Sequence, residues 1–317
     1  MSLIASLGAF ELGLIYALVA LGVLLTFRIL NFPDLTVDGS FPLGGAVAAS
    51  LIASHVNPFT ATAIAFVAGG AAGYVTAYLH VRLKIMQLLA SILVMIALYS
   101  INLRIMGKPN VPLLGEDTVF TLLSFANLNE FGLKPLVLLV IVIVGKLLLD
   151  AYFATDSGLA MRATGCNPRM ARAQGISTDA MTFSGLALSN ALVALAGALY
   201  AQSQGGADVS MGIGTIVIGL AAVIIGETLL PARKLAWISL SCVLGAVLYR
   251  FFIAAALNGD FIGLQAQDLN LVTAVLVTLA LLIPAQRARW QRRSARARAR
   301  ARARAGRDAA FAKKGDA

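Results

Sequence analysis

Three arginines, Arg162, Arg169 and Arg172, share the stretch 162–176 with Gly165, Asn167, Pro168, Gly175 and Ile176. Arg169 and Arg172 are three residues apart, so on a helix they lie on neighbouring turns. There both guanidinium groups can pair with carboxylates of a partner. The residues around them punctuate a short helix. Asn167 can cap it with its side-chain oxygen, Pro168 fits the first helical position, and Gly175 can end it in the left-handed conformation. At about two turns, such a helix is not stable alone in water and is expected to dock into something else. The plainer use of the same arginines is as topology determinants in a solvated loop.

A second set of polar residues falls in or beside apolar segments: Asp34, Asp38, Asn102, Asn190, Gln202 and Asp208. Polar groups inside a membrane are costly and often functional. These could supply acceptors and donors to a zwitterionic solute, with aromatic contacts from Phe41 or Tyr99. Capping or packing of helices uses the same residue types equally well, and Asp38 in particular is placed to cap 41–56.

Other chemistries find little support. There is no Gly-x-x-x-x-Gly-Lys-Ser/Thr phosphate loop. His55 and His80 stand near segment ends without a Cys, His or carboxylate pattern, so structural or interfacial roles are expected of them rather than metal binding. The one Gly-x-Ser, Gly175-Ile176-Ser177, lies in the polar loop with no histidine near it in sequence, which argues against an intramembrane protease. Cys166 and Cys242 imply no disulfide framework. No catalytic or metal-binding residue is expected.

The elements that must position these residues are apolar helices. The 317-residue chain is 59% hydrophobic and only 13% charged, with a mean hydropathy of +0.84, whereas soluble domains are about one quarter charged. Apolar segments run at 3–27, 41–56, 59–78, 85–105, 133–152, 181–202, 213–230, 235–257 and 269–284, many near the ~20 residues that span a bilayer. The fold class is therefore all-α, a polytopic membrane protein of about eight to ten transmembrane helices. Segment 41–56 is short and Gly-rich and is a candidate for a re-entrant or broken helix. Glycines 69, 70 and 73, with Ala71 and Ala72, read as close helix packing. Residues 1–10 carry no basic residue before the apolar stretch, so no cleavable signal peptide is expected.

The formal charge of +10 is carried by the end of the chain, where 287–317 holds 12 Lys/Arg against two Asp. Two parts follow: a transmembrane domain at 1–285, with a polar loop at about 154–179, and a basic tail at 286–317. The Arg-Ala alternation of the tail is expected to be disordered and held near anionic lipid headgroups. The excess of Lys/Arg in cytoplasmic loops puts the tail, Arg233-Lys234, the arginines of 162–172, Arg82, Lys84 and Arg28 inside. Nine crossings with the N-terminus outside satisfy that pattern.

An offset of 174 residues pairs Ala17-Leu18-Val19-Ala20-Leu21 with Ala191-Leu192-Val193-Ala194-Leu195, Asp34 with Asp208, Gly45 with Gly219 and Ala48 with Ala222. Copies separated by an odd number of crossings are inverted, a common plan for transporters with the substrate site between repeats. Chance matching among Ala/Leu-rich helices produces such a pattern as well.

The stretch 162–176 resembles the cytoplasmic coupling loop of permeases of ABC importers for branched-chain amino acids, ribose and related solutes, a loop that reads Arg-Ala-x-Gly-x-Asn-Pro, an Ala-rich turn, then Gly-Ile. Arg162, Ala163, Gly165, Asn167, Pro168, Ala171, Gly175 and Ile176 fill those positions, while Cys166 replaces what is often an acidic residue. Residues 13–22, then Asn31-Phe32 and Gly44-Gly45-Ala46, resemble the first two helices of the family. The insert 33–41 is similar to a tryptophan/tyrosine-type branch. The resemblance covers about 10–285. It implies a type II importer-like permease, paired with a second permease copy and served by an extracytoplasmic solute-binding protein. Separate ATPase subunits, which carry ATP and Mg, would grip the helix after Asn167. It further implies location in the bacterial plasma (inner) membrane and an amino-acid substrate, aromatic or branched-chain, with sugars or nucleosides next. A stand-alone secondary transporter or channel driven by an ion gradient shares the polar intramembrane residues and the repeat, but has no need of the coupling helix.

Overall fold

Among the described residues, each long apolar segment folds as one helix, stopped where a local signal stops it. The computed structural model describes residues 3–123, 130–230 and 234–257, together with Val275 and Thr278. Helix α1 (Leu3–Val23) passes without a break into a π-helical turn, Leu24–Ile29. Helix α2 is Val37–Ala53, α3 Pro58–Val81 and α4 Gln87–Met106. Strand β1 (Asn110–Pro112) and the single turn α5 (Val119–Leu122) precede α6 (Glu130–Ala154). Two short helices follow, α7 (Asp156–Cys166) and α8 (Pro168–Ala173). The chain continues through α9 (Thr178–Gln204), strand β2 (Gly206–Asp208), α10 (Thr215–Leu229) and α11 (Leu235–Leu257).

The termini of these helices follow elementary rules. Asn57 caps α3 by accepting from Phe59 N–H, with Pro58 in the first position. Ser177 caps α9, and Gly205, at φ 76°, ends it. Among the described residues, six helices are long and apolar enough to cross a membrane: residues 5–29, α3, α4, 133–154, α9 and 235–256. Helices α2 and α10 are apolar but shorter. Of the expected segments, 269–284 falls outside the described residues apart from Val275 and Thr278, which are helical. The tail 286–317 also lies outside them.

The 174-residue offset is structural. Shifted by it, 3–29 falls on α9, which has the same 27-residue span, while α2 falls on α10 and α3 on α11. The copies are inverted. Glu11 of α1 accepts from Ser203 of α9, Tyr16 packs on Tyr200, and Ser189 Oγ donates to Gly22 O, so α1 and α9 run antiparallel. Helix α2 runs with α9, from Ser40 beside Asn190 to Ile52 beside Ala201. Helix α10 runs with α1, from Gly219 against Val19 and Val23 to Glu227 paired with Arg28. Each central helix thus carries the short helix of the other repeat.

Small residues permit this closeness. A Cβ at Gly44 or Gly69 would overlap the α9 backbone at Ala194 or Asn190, and one at Gly73 would overlap Leu186. The stripe 69–73 is close packing, as expected. A three-residue antiparallel ladder, β1 with β2, ties the connection after α4 to the end of α9.

The structure overturns one of the two readings of segment 41–56, that it is broken: residues 41–53 belong to an unbroken 17-residue helix that begins at Val37. Pro42 sits one turn inside it and removes the donor that would have reached the Asp38 carbonyl. Gly212 packs so closely on that carbonyl that a Cβ would overlap it.

Candidate functional site

Two places bring the chemistry-bearing residues together. The first is the polar loop, which is built as two helices. Thr155 caps α7, with its side chain accepting from Gly158 N–H. Asn167 ends α7 and caps α8, accepting from Met170 N–H at 3.1 Å. Pro168 is the first residue of the six-residue α8, and Gly175 turns the chain at φ 81°. Ile176 N–H returns to the Ala171 carbonyl. The sequence reading of α8 therefore holds at both ends.

The loop offers a free face and a fixed one. Arg169 and Met170 are exposed, while Ala171 is buried. Arg172 is already engaged, its Nε donating to Thr178 Oγ1 at 2.8 Å, and Arg162 donates to the Phe153 carbonyl. Gly165 lies against the last residues of the π-helical turn, where a Cβ would overlap the Ile29 carbonyl oxygen. Leu30 in turn fills the space in front of Gly185 on α9. Through Gly165 and Leu30, α7 is thus packed directly against the end of the π-helical turn and against α9.

The second place is a cavity of about 370 Å³ beside the start of α2, lined by Asp38, Gly39, Pro42, Tyr99, Asn102 and Ile213 among others. Here the two short helices begin side by side and run in opposite directions. Gly214 and Ile216 N–H donate to the two carboxylate oxygens of Asp38, at 3.2 and 2.7 Å. Asp38 therefore caps α10 and not its own helix, which corrects the expectation that it caps 41–56. The positive end of the α10 dipole meets the carboxylate. Asn102, fully buried, donates from Nδ2 to the Gly39 carbonyl at 3.2 Å, and its Oδ1 has no partner.

The other candidate pathway residues lie elsewhere. Asp34 is buried and holds Thr36 N–H and Asn190 Nδ2, and Asn190 also accepts from Ser40. Gln202 bridges Thr62 and Val119 N–H. Asp208 accepts from Ser210 N–H in the connection after α9. Phe41 is enclosed, stacked on Tyr16 and packed on Tyr200. Of the eight residues, the structure gathers Asp38, Tyr99 and Asn102 around one cavity and gives Asp34, Phe41, Asn190 and Gln202 bonding or packing partners in the interior. His80 Nδ1 bonds the Ile85 carbonyl and its ring packs on Phe32, a structural placement.

Helix α7 has one local signal, the Thr155 cap followed by Asp156, but low hydropathy conceals the helix behind it; no local signal announces the π-helical turn or the burial of Arg250. Arg250 of α11 lies over the Tyr16 ring, 4.1 Å from its centre, and makes no hydrogen bond or ion pair among the described residues.

With these sites in place, comparison with known proteins is informative. Residues 7–285 match the family model described as branched-chain amino acid transport system / permease component. The chain is 40% identical over 265 residues to a tyrosine transport system permease protein of Clostridioides difficile, covering 83% of this chain and 86% of that one. It is 27% identical over 202 residues to a probable branched-chain amino acid transport permease protein LivH of Methanocaldococcus jannaschii, covering 61% and 64%. Identity to the ribose import permease protein RbsC of Escherichia coli is 27% over 259 residues, covering 79% and 76%. An all-α, multi-pass chain with a family match over nearly its whole membrane domain is a transport component: it belongs to the branched-chain amino acid transport system permease family.

Proposed function

We propose that this permease forms the solute pathway of an ABC importer and takes its driving force from separate ATPase subunits through α7 and α8. The supporting observation is the seating of Gly165 on the π-helical end of α1, behind an exposed and capped α8. A rigid element with one free face and one face packed on the central helices passes on a push better than a flexible loop. ATP and Mg belong to the ATPase, whose cleft receives the exposed side of α8 and its flanks at Asn167, Pro168, Arg169, Arg172 and Gly175, while Arg162 and Gly165 seat α7 on the membrane helices. Arg169 is the guanidinium free to meet an ATPase carboxylate, because Arg172 is held by Thr178. An extracytoplasmic binding protein delivers the solute, and a second copy of this chain completes the pathway in the plasma (inner) membrane. Lys/Arg placement supports a cytoplasmic α7–α8 loop and tail, with the N-terminus outside.

The substrate is an amino acid, aromatic ones first, a reading supported by the 40% identity to a permease named for tyrosine. Among the eight polar and aromatic candidates, the cavity residues Asp38, Tyr99 and Asn102 are the ones that meet solute.

The test is affinity purification of the tagged protein in mild detergent, with mass spectrometry of what accompanies it. A stoichiometric ATPase is the expected result. A chain that purifies alone, with no ATPase found by cross-linking in cells, overturns the reading in favour of an ion-driven carrier.

A further inference from the structure

The cavity at the start of α2 has a one-sided chemistry. Among the described residues, its one charged wall group is the Asp38 carboxylate, and no Lys, Arg or His lines it. Each Asp38 oxygen takes one backbone N–H from α10 and retains lone-pair capacity, since an ionised carboxylate has about four acceptor sites. No cation lies within ion-pair distance of Asp38 among the described residues. The orientation of the Asn102 amide is fixed, because only its NH₂ can donate to the Gly39 carbonyl. The atom left over is therefore Oδ1, an acceptor that is buried and unpartnered. A buried acceptor without a partner among the described residues is costly inside a membrane protein, and the Asp38 carboxylate, held by two backbone N–H groups but by no cation, keeps lone pairs for a donor. The remaining wall is apolar: Met95, Ile96, Ile213 and the ring of Tyr99.

We infer that this cavity is the ammonium subsite of the pathway, taking a primary amine that carries an apolar or aromatic body. The inference rests on the amino-acid reading above and deepens it. The solute's ammonium group donates to Asp38, and a displacement of the Asn102 amide, whose Oδ1 is covered in this structure, gives it a second acceptor; its side chain lies along Met95, Ile96 and Tyr99. The cavity offers nothing basic to a carboxylate, so the amine and not the acid end is recognised here. The volume and the apolar wall fit an organic cation better than a bare metal ion, which wants several oxygens around it.

The experiment uses the full chain in lipid nanodiscs and saturation-transfer NMR with three probes at neutral pH: L-tyrosine, tyramine, and 3-(4-hydroxyphenyl)propionate. Tyrosine and tyramine should bind and displace one another, and the propionate should not bind. Asn102→Leu should weaken tyramine by about tenfold or more, the effect of losing a bond to a charged group. The probe series on the unmutated chain stands even if that variant fails to fold. Propionate binding equal to tyramine, no amine binding, or displacement of tyramine by sodium at constant ionic strength each overturns the inference. Failure of the ATPase to co-purify, with tyramine still bound, leaves the subsite standing and sinks the importer reading alone.

Discussion

The two inverted repeats share a plan and differ in how firmly it is fastened. In the first, Asp34 accepts from Thr36 N–H, two residues on. In the second, its counterpart Asp208 accepts from Ser210 N–H in the same local turn. Beyond that turn they diverge. Asp34 is buried and bonded to Asn190, and Thr36 Oγ1 is bonded to Thr76 across to α3. The counterpart of Asn190 is Tyr16, and the counterpart of Thr76 is Arg250. In place of two hydrogen bonds, the second repeat has a guanidinium resting on a ring. Neither α2 nor α10 has a side-chain cap of its own, but Asp38 of the first repeat caps α10, while its counterpart Gly212 has no side chain to return the bond. The first repeat is thus a satisfied polar frame, and the second leans on it. In an inverted-repeat transporter, alternation of access is motion of one repeat against the other, and the second is the one with fewer bonds to break.

The largest effect tests how motion reaches that frame. Gly165→Val would place a branched side chain where the Ile29 carbonyl already lies, and must push α7 away from the end of α1. Solute uptake in reconstituted vesicles should fall tenfold or more, while membrane insertion, read by protease protection, stays intact. A variant that transports normally breaks the link between the coupling loop and the first repeat.

A paired substitution sharpens the contrast directly. Asp34→Ala leaves Asn190 Nδ2 and Thr36 N–H without this acceptor in a buried site, and should cost about 3 kcal/mol. Asp208→Ala removes a turn acceptor at a partly exposed position and should cost about 1 kcal/mol or less. Thermal unfolding of both variants in the same detergent decides the matter. Equal losses would mean that the repeats are fastened alike.

How much of this is readable beforehand follows from the range of each interaction. The long helices and α8 are legible because length, apolar content and the Asn167-Pro168…Gly175 punctuation are local. The cap of α10 is not, because Asp38 and Ile216 are 178 residues apart and nothing near either residue names the other. Asp34, Asn190 and Gln202 look alike in sequence to Asp38 and Asn102. Only the fold shows that the first three spend their bonding capacity on neighbours while Asn102 keeps an acceptor. The repeat shows faintly in sequence because its two halves retain small residues and spacing but not the polar pairs.

The smallest expected effect concerns Arg250, and its sign matters more than its size. A cation–π contact contributes about 0.5–2 kcal/mol, while burial of an unpaired guanidinium costs several. Replacing such a group by an apolar side chain of similar length should therefore stabilise the protein. Arg250→Met should raise stability by about 1 kcal/mol, read as a higher midpoint of thermal unfolding in nanodiscs. Thr76→Val at the counterpart position should lower it, because Thr36 Oγ1 loses a buried partner at 2.8 Å. Opposite signs at these two positions would establish that the second repeat carries a group its present packing does not satisfy. A loss at both would mean that the ring under Arg250 holds α11 as firmly as Thr76 holds α3, and the asymmetry between the repeats would then be one of chemistry without a difference in strength.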